Sequence, residues 1–170
     1  MKKAEPRGLP ALFIPRSNLE KALEAAYVIG ILTMLFFIVR YWAALPDQIP
    51  TRFGAGGTPA AWGDKAALIR QLLVVVLISA GMTALSRYPH LFNYPWRITG
   101  QNIKIQYQLA RTLLNWIKVE LVWLFGFTEW GSIQVALGHD QYLRTEYLWV
   151  CIAIIFGTIA IYFYESLKAR

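Results

Sequence analysis

Long apolar runs alternate with polar segments rich in proline and glycine along this chain of 170 residues. A helix needs roughly 20 mainly apolar residues to cross a bilayer. Four runs meet that length, at residues 22–44, 66–86, 113–137 and 146–164. The pattern therefore predicts an all-α integral membrane protein with four transmembrane helices.

The residues that flank these runs predict where the helices begin. Ser17 and Glu20 have the spacing of a capping box ahead of the first helix, and Asp64 is placed to cap the second. Thr99 is placed to cap a helix that starts near Gly100 and continues into the third apolar run. Such a helix, of roughly 38 residues at about 1.5 Å each, is about 57 Å long, so its first third is expected to extend beyond the membrane.

The segment between the first two helices, residues 45–65, has a different composition. Its three prolines each remove a backbone donor, and three of its four glycines are placed to permit left-handed turns. They are Pro46, Pro50, Pro59, Gly54, Gly56 and Gly57. The segment therefore predicts a folded hairpin connection.

Six side chains of this segment are candidates for folding it or for contacting a partner. Asp47 is expected to accept bonds from nearby backbone amides, and Phe53 and Trp62 to pack against the helix ends. Arg52, Asp64 and Lys65 are expected to form a surface ion pair, which contributes little by itself. Two interpretations stay open: a self-packed cap, or a recognition surface for a peptide or a partner's external domain.

Basic residues are distributed unevenly between the two sides of the predicted membrane. Eleven Lys and Arg lie in residues 1–21, in the connection 87–112 and in the tail 165–170, against five on the other side. The positive-inside rule then predicts that both termini face the cytoplasm, with residues 45–65 and 138–145 outside. A bacterial cytoplasmic membrane is the expected location. The apolar N-terminal segment GLPALFIP is expected either to lie on a surface or partner, or to be disordered.

Composition and motifs argue against several classes of function. The chain is 56% hydrophobic with a net charge of +7, but no basic run interleaves with aromatic residues as in nucleic-acid-binding modules. The single cysteine, Cys151, lies in an apolar run, and His90 and His139 are predicted on opposite sides of the membrane. No nucleotide, metal or hydrolase motif occurs. We expect no enzyme activity and no metal site, and the sequence identifies no cofactor.

Charged residues inside the third helix are the second candidate site. At 100° per residue, Arg111, Asn115, Lys118 and Glu129 fall within about 60° of one another, with Ser132 at the margin. Lys118 and Glu129 lie about 16 Å apart along the axis, so each needs another partner.

Intramembrane charges by default mark functional or pairing sites. The alternative is that Arg111 and Lys118 reach the cytoplasmic surface and that Glu129 is wet at the outer surface. Glu120 points to the opposite face and is expected either to meet a basic or hydroxyl group on another helix or subunit, or to stay neutral through desolvation.

The hairpin segment resembles the signature of a bacterial membrane family, the domain of unknown function 1648. The resemblance rests on Leu45-Pro46-Asp47-Gln48-Ile49-Pro50 followed by residues that match in order and spacing: Phe53, Gly57, Pro59, Trp62 and Lys65. Short members of this family also resemble the chain in a later segment, Phe92-Asn93-Tyr94-Pro95 followed by the charged third helix. Arg52 stands where the family usually has histidine, and Ala60 where it often has an acid.

The resemblance implies a small helical membrane protein without known catalytic residues. The family includes an immunity protein against a sporulation-delay toxin, which is longer and has further spans. We therefore expect an accessory or structural subunit that packs in the lipid bilayer against other integral membrane subunits. Two alternatives stay open: an immunity or envelope-stress protein that senses through the outer hairpin, and a small ion-coupled transporter that uses Lys118 and Glu129.

Overall fold

Four long helices and one small sheet make up the computed structural model, which describes residues 10–170. The helices are α1 (Asn18–Tyr41), α2 (Ala66–Leu85), α3 (Ile103–Ala136) and α4 (Glu146–Lys168). By length and composition, α1, α2 and α4 are able to cross a membrane. Helix α3 carries the charged residues predicted for the third span. The molecule is thus mostly helical and of the membrane type. Residues 1–9 of the predicted N-terminal arm lie outside the described residues.

The connection between α1 and α2 is an antiparallel hairpin, which corrects the all-α prediction. Strand β1 (Gln48–Phe53) pairs with β2 (Pro59–Asp64), with Gln48 opposite Asp64 and a register shift between Pro50 and Arg52. Such a shift admits one extra residue and bends the strand. The prediction that the prolines exclude a helix from this segment was correct. Strand β1 accommodates Pro50, because both strands of a two-stranded sheet are edge strands.

Helix ends follow the sequence signals in part. The Glu20 amide donates to Ser17 Oγ at 3.1 Å, and the Ser17 amide donates to Glu20 Oε2 at 2.7 Å, so the capping box is confirmed. Lys65 rather than Asp64 occupies the N-cap position of α2 and makes no side-chain cap bond, while a hydrogen bond from the Ala66 amide in the first turn of α2 helps to lower the pKa of Asp64. Regular helix in α3 begins at Ile103 rather than Gly100.

Thr99 still organises the entry into α3. Its amide donates to Asn102 Oδ1 at 2.8 Å, and the Asn102 amide donates to Thr99 Oγ1 at 3.3 Å. The Ile103 amide donates to the Thr99 carbonyl at 3.0 Å. These bonds satisfy amides that a helix start leaves without partners.

Helix α3 is the central helix, because each of the other three helices packs against it. It runs parallel to α1, with Glu20 beside Arg111 at one end and Ile38 beside Ile133 at the other. It runs antiparallel to α4, since Gln106 contacts Ser166. Protein therefore surrounds much of α3, which explains how this helix keeps charged residues in the middle of its length.

Close packing of α1 on α3 depends on small residues. A Cβ added at Gly30 would lie 2.5 Å from Val122 Cγ1, and one at Gly126 would lie 3.4 Å from Met34 Cγ. Small residues that let helix backbones approach closely are typical of membrane helix interfaces. Met34, Val75 and Val122 form one buried cluster at this level.

The second buried cluster joins the hairpin to the helices. Ile49 of β1 is fully buried and Leu45 nearly so. They pack with Ile38, Leu68 and Ile133 from three different helices. The hairpin is therefore a cap seated on one end of the bundle, over the C-terminal ends of α1 and α3 and the N-terminal end of α2.

Candidate functional site

The polar stripe of α3 faces the interior of the bundle. Asn115, Lys118, Glu129 and Ser132 are all buried, and the Arg111 side chain is 13% exposed. The stripe inferred from helical spacing is therefore present. Its members do not form one site, because each has a different environment.

Arg111 fixes the start of α1 and the segment before it. Its Nη2 donates to Glu20 Oε2 at 2.9 Å, and its Nε donates to Glu20 Oε1. Nη1 and Nη2 also donate to the Ile14 and Pro15 carbonyls at 2.8 and 3.0 Å. The planar guanidinium suits this bidentate arrangement. The described part of the arm therefore lies against α3, and the expectation that Arg111 extends to the surface was wrong.

Lys118 joins three helices. Its Nζ donates to Glu24 Oε2 of α1 at 2.6 Å and to Thr83 Oγ1 of α2 at 3.2 Å, and it lies 4.6 Å from the centre of the Tyr27 ring. The side chain is only 1% exposed, so it does not extend to the surface as the alternative interpretation expected. Pairing offsets the desolvation of this ammonium group.

Glu120 lies on the other face of α3 and meets a hydroxyl group, one of the two partners expected for it. Thr158 of α4 donates its Oγ1 proton to Glu120 Oε1. The other oxygen, Oε2, is buried and has no hydrogen-bond partner among the described residues. This contact joins the middle of α4 to α3.

Glu129 is the exception among the charged residues of α3. Its exposed fraction is 0%, so the expectation of a wet position at the outer surface was wrong. Within residues 10–170, neither carboxyl oxygen has a hydrogen-bond partner. It lies one turn from Phe125 and one turn from Ile133, between the two buried apolar clusters.

Charged residues of the hairpin pair differently from the prediction. Asp64 accepts from both terminal nitrogens of Arg70, at 3.1 and 3.2 Å. The Arg70 guanidinium holds the pKa of Asp64 below its ordinary value of 3.8. Lys65 Nζ lies 3.8 Å from Oδ1 of Asp47, and the Asp47 side chain is 97% exposed. Arg52 is exposed and joins neither pair, so the predicted Arg52, Asp64 and Lys65 group does not form.

Of the two aromatic anchors predicted for the hairpin, Trp62 was predicted incorrectly. Trp62 is 55% exposed and Phe53 is half-buried, whereas Ile49 and Pro50 are the buried side chains. Asp47 does not fold the turn through its carboxylate. Instead its backbone carbonyl accepts from the Lys65 amide at 3.2 Å. Asp47 and Trp62 therefore lie on the outer surface of the cap.

Leu143, in the connection between α3 and α4, binds the tip of the hairpin. Its amide donates to the Gly57 carbonyl at 2.8 Å. A Cβ at Gly57, where φ is +77°, would lie 1.9 Å from the Leu143 carbonyl oxygen, and one at Gly131 would lie 2.1 Å from Leu143 Cδ1. The leucine thus fits between two glycines of different elements. No sequence signal singled out Leu143.

Sequence reasoning missed the partners of the α3 charges, although a signal was present. Glu20 and Glu24 are four residues apart on α1, and Arg111 and Lys118 are seven apart on α3, so each pair shares one helical face. It also missed Gln106 and Ser166, which are fully buried. Ser166 Oγ donates to Gln106 Oε1 at 2.6 Å, and Gln106 Nε2 donates to the Ser166 carbonyl at 2.8 Å.

Comparison with known proteins confirms the resemblance drawn from the hairpin. Residues 28–78 match the family described as domain of unknown function (DUF1648). The matched region contains most of α1, the hairpin and most of α2.

A protein of Archaeoglobus fulgidus, described as uncharacterized, is 28% identical over 89 residues. The match covers 48% of this chain and 49% of that protein, so the chain spans about half the length of this relative. No solved structure matches the chain.

Proposed function

We propose that this chain, whose residues 28–78 belong to the domain of unknown function 1648 family, is a non-enzymatic accessory subunit of a larger membrane assembly. The observation that carries the proposal is the position of α4 at the edge of the bundle. Among the elements of the described chain, α4 packs mainly against α3. In the most apolar stretch of 18 residues of α4, no residue is buried by the rest of the described chain.

The exposed side of α4 is large, apolar and aromatic. Trp149, Phe156 and Ile161 are 67%, 66% and 64% exposed. Aromatic side chains supply much contact area at low entropic cost when a partner covers them. An integral membrane subunit that lies beside α4 would cover these residues.

The paired charges of α3 support a structural role. Arg111 and Lys118 find acidic partners on α1, and Glu120 finds a hydroxyl on α4. These groups are used within the chain to hold its helices together. The surface left for a partner is then apolar, which suits contact inside a lipid bilayer.

We place the protein across a bacterial cytoplasmic membrane with four spans and both termini inside. In this arrangement the basic ends of α1 and α4 face the cytoplasm, and the hairpin faces outward. Helix α3 also crosses the membrane, which brings the number of spans to four, and the other helices cover its charged side chains.

A photo-crosslinking amino acid placed at Phe156 tests the proposal in native membranes. The matched control is Leu77 of α2, which is 70% exposed and apolar. We expect Phe156 to trap a discrete protein and Leu77 to trap lipid. Lipid adducts alone at Phe156, with the chain migrating as a lone monomer after mild extraction, would remove the proposal.

A second candidate function is sensing through the outer hairpin, as in an immunity or envelope-stress protein. The contact of Gly57 with Leu143 favours it, because it ties the tip of the hairpin to the connection between α3 and α4. Trp62 and Asp47 supply an exposed surface for a ligand. Trp62→Ala and Asp47→Ala should then abolish the toxin or stress response in cells while the protein stays folded, and an unchanged response would reject this candidate.

A further inference from the structure

Glu129 is a buried acid that the ion pairs of α3 leave unused. Its side chain has no solvent exposure, and both carboxyl oxygens lack a hydrogen-bond donor among residues 10–170. Burying an isolated ionised carboxylate costs far more than burying the neutral acid. The environment therefore favours a group that carries its own proton.

Three cationic side chains near this end of the bundle contact groups other than Glu129. Arg40 of α1 is exposed and lies 5.4 Å from the Tyr41 ring, which itself packs on Trp130. Arg70 of α2 is bound to Asp64 of the hairpin. Lys65 lies beside Asp47 and its Nζ donates to the Leu45 carbonyl at 3.4 Å.

Among the described residues, the other charged groups of the elements around Glu129 also leave it without a counter-ion. Lys118 of α3 is bound to Glu24 and is about 16 Å away along the helix. His139, Asp140 and Arg144 in the connection to α4, and Glu146 at the start of α4, are exposed. Arg52 of the hairpin is exposed as well.

The hairpin covers the end of α3 that lies closest to Glu129. Ile133, one turn beyond Glu129 on α3, packs with Ile49 and Leu45 of the cap. Val122, nearly two turns before Glu129, packs with Met34 and Val75 on the other side. Leu143 binds Gly57 of the hairpin and lies against Gly131, about 200° around α3 from Glu129 and so on its other face. Because Ile49 and Leu45 cover Ile133, movement of the hairpin would expose the end of α3 that lies one turn from Glu129.

We propose that Glu129 is a proton-binding site controlled by the hairpin. In the closed arrangement the carboxyl group holds a proton. When the hairpin separates from α3, the O–H bond breaks, the electron pair stays on the carboxylate and the proton passes to water on the hairpin side. The ionised carboxylate resists reburial, so a low proton concentration on that side favours the open hairpin. The protein would thereby respond to pH on the hairpin side, a property beyond the proposed role as a subunit.

Infrared spectroscopy of the full chain in lipid vesicles tests the proposal. A protonated carboxylic acid has a carbonyl stretching band that an ionised carboxylate lacks. At neutral pH we expect this band in the wild type and in the exposed control Glu165→Gln, and we expect Glu129→Gln to lose one component of it. No difference between wild type and Glu129→Gln would overturn the proposal, because the carboxylate would then be ionised and hydrated or bound to a cation.

Control by the hairpin is tested with Gly57→Ala, because a Cβ at this position has no room beside the Leu143 carbonyl oxygen. In this variant the Glu129 band should exchange with deuterium faster than in the wild type and disappear on transfer to alkaline buffer. Equal exchange in both proteins would reject the hairpin as the gate. If Glu129→Gln fails to fold, solid-state NMR of the wild type with isotope-labelled glutamate distinguishes a protonated from an ionised carboxyl group. Detection of ionised glutamate carboxyls alone would overturn the proposal.

Discussion

Lys118 of α3 donates to Glu24 of α1 across 2.6 Å, inside a bundle where the lysine side chain is 1% exposed. The same ammonium donates to Thr83 of α2. One charged group therefore connects three helices that are far apart in sequence. Charges that an isolated apolar helix would carry at a cost are here part of the packing between helices.

Replacing Lys118 by leucine should destabilise the protein strongly. Removal of one partner of a buried ion pair costs about 3–5 kcal/mol, and partial exposure of Glu24 places this case near the lower value. The measurement is the thermal midpoint in detergent. Lys21→Leu, at an exposed lysine of α1, is the control and should change it little; equal midpoints for the two variants would contradict the prediction.

Gly57→Ala should detach the cap. The residue has φ of +77°, and the added Cβ would lie 1.9 Å from the Leu143 carbonyl oxygen, so both conformation and space oppose alanine. We expect a loss of about 1–3 kcal/mol and faster proteolysis within the hairpin. Gly56→Ala is the matched control because nothing lies within 4 Å of its added Cβ. Protease resistance equal to that of Gly56→Ala would mean that the Gly57 contact does not hold the cap.

Gly30→Leu should separate α1 from α3. Its Cβ position is 2.5 Å from Val122 Cγ1, and overpacking of this kind typically costs about 1–3 kcal/mol. Gly81→Leu in α2, where the added Cβ meets nothing within 4 Å, is the control. Cysteine pairs across α1 and α3 should crosslink less efficiently in Gly30→Leu only; a similar loss in both variants would point to a general effect on membrane insertion.

The pairing of Asp64 with Arg70 should make docking of the hairpin on α2 sensitive to acid. The folded pKa of Asp64 lies below its ordinary value of 3.8. Its stabilising contribution is therefore complete above that value and is lost as the pH falls through the lower folded pKa. NMR titration of the Asp64 carboxyl should show this depressed pKa, and Arg70→Gln should bring it back toward the ordinary value. A titration that Arg70→Gln does not alter would contradict the assignment.

Local signals in the sequence were informative where the structure is itself local. Ser17 and Glu20 are three residues apart, so their reciprocal bonds were readable from spacing. The inward stripe of α3 was readable for the same reason. The strands of the hairpin were not, because prolines and glycines identify turns more clearly than they identify a strongly bent two-stranded sheet.

Partners across helices depend on a register that one sequence does not reveal. A surface position for Lys118 stayed open as one interpretation, since the spacing of Glu20 and Glu24 marks a face of α1 but does not place that face beside Lys118. Trp62 was expected to anchor the cap because it is large and aromatic. The alternation of β2 instead turns Trp62 outward, and the smaller Ile49 of β1 turns inward.

The central claim is that the charges of α3 hold the helices of this chain together, and exchange of the charges between Glu24 and Lys118 tests it most directly. The measurement is the fraction of a fluorescently tagged chain that elutes as folded, monodisperse protein after detergent extraction. We predict a large loss in Glu24→Lys and in Lys118→Glu, and substantial recovery when both changes are combined. Single variants that elute like the wild type, or a double variant no better than the singles, would contradict the claim.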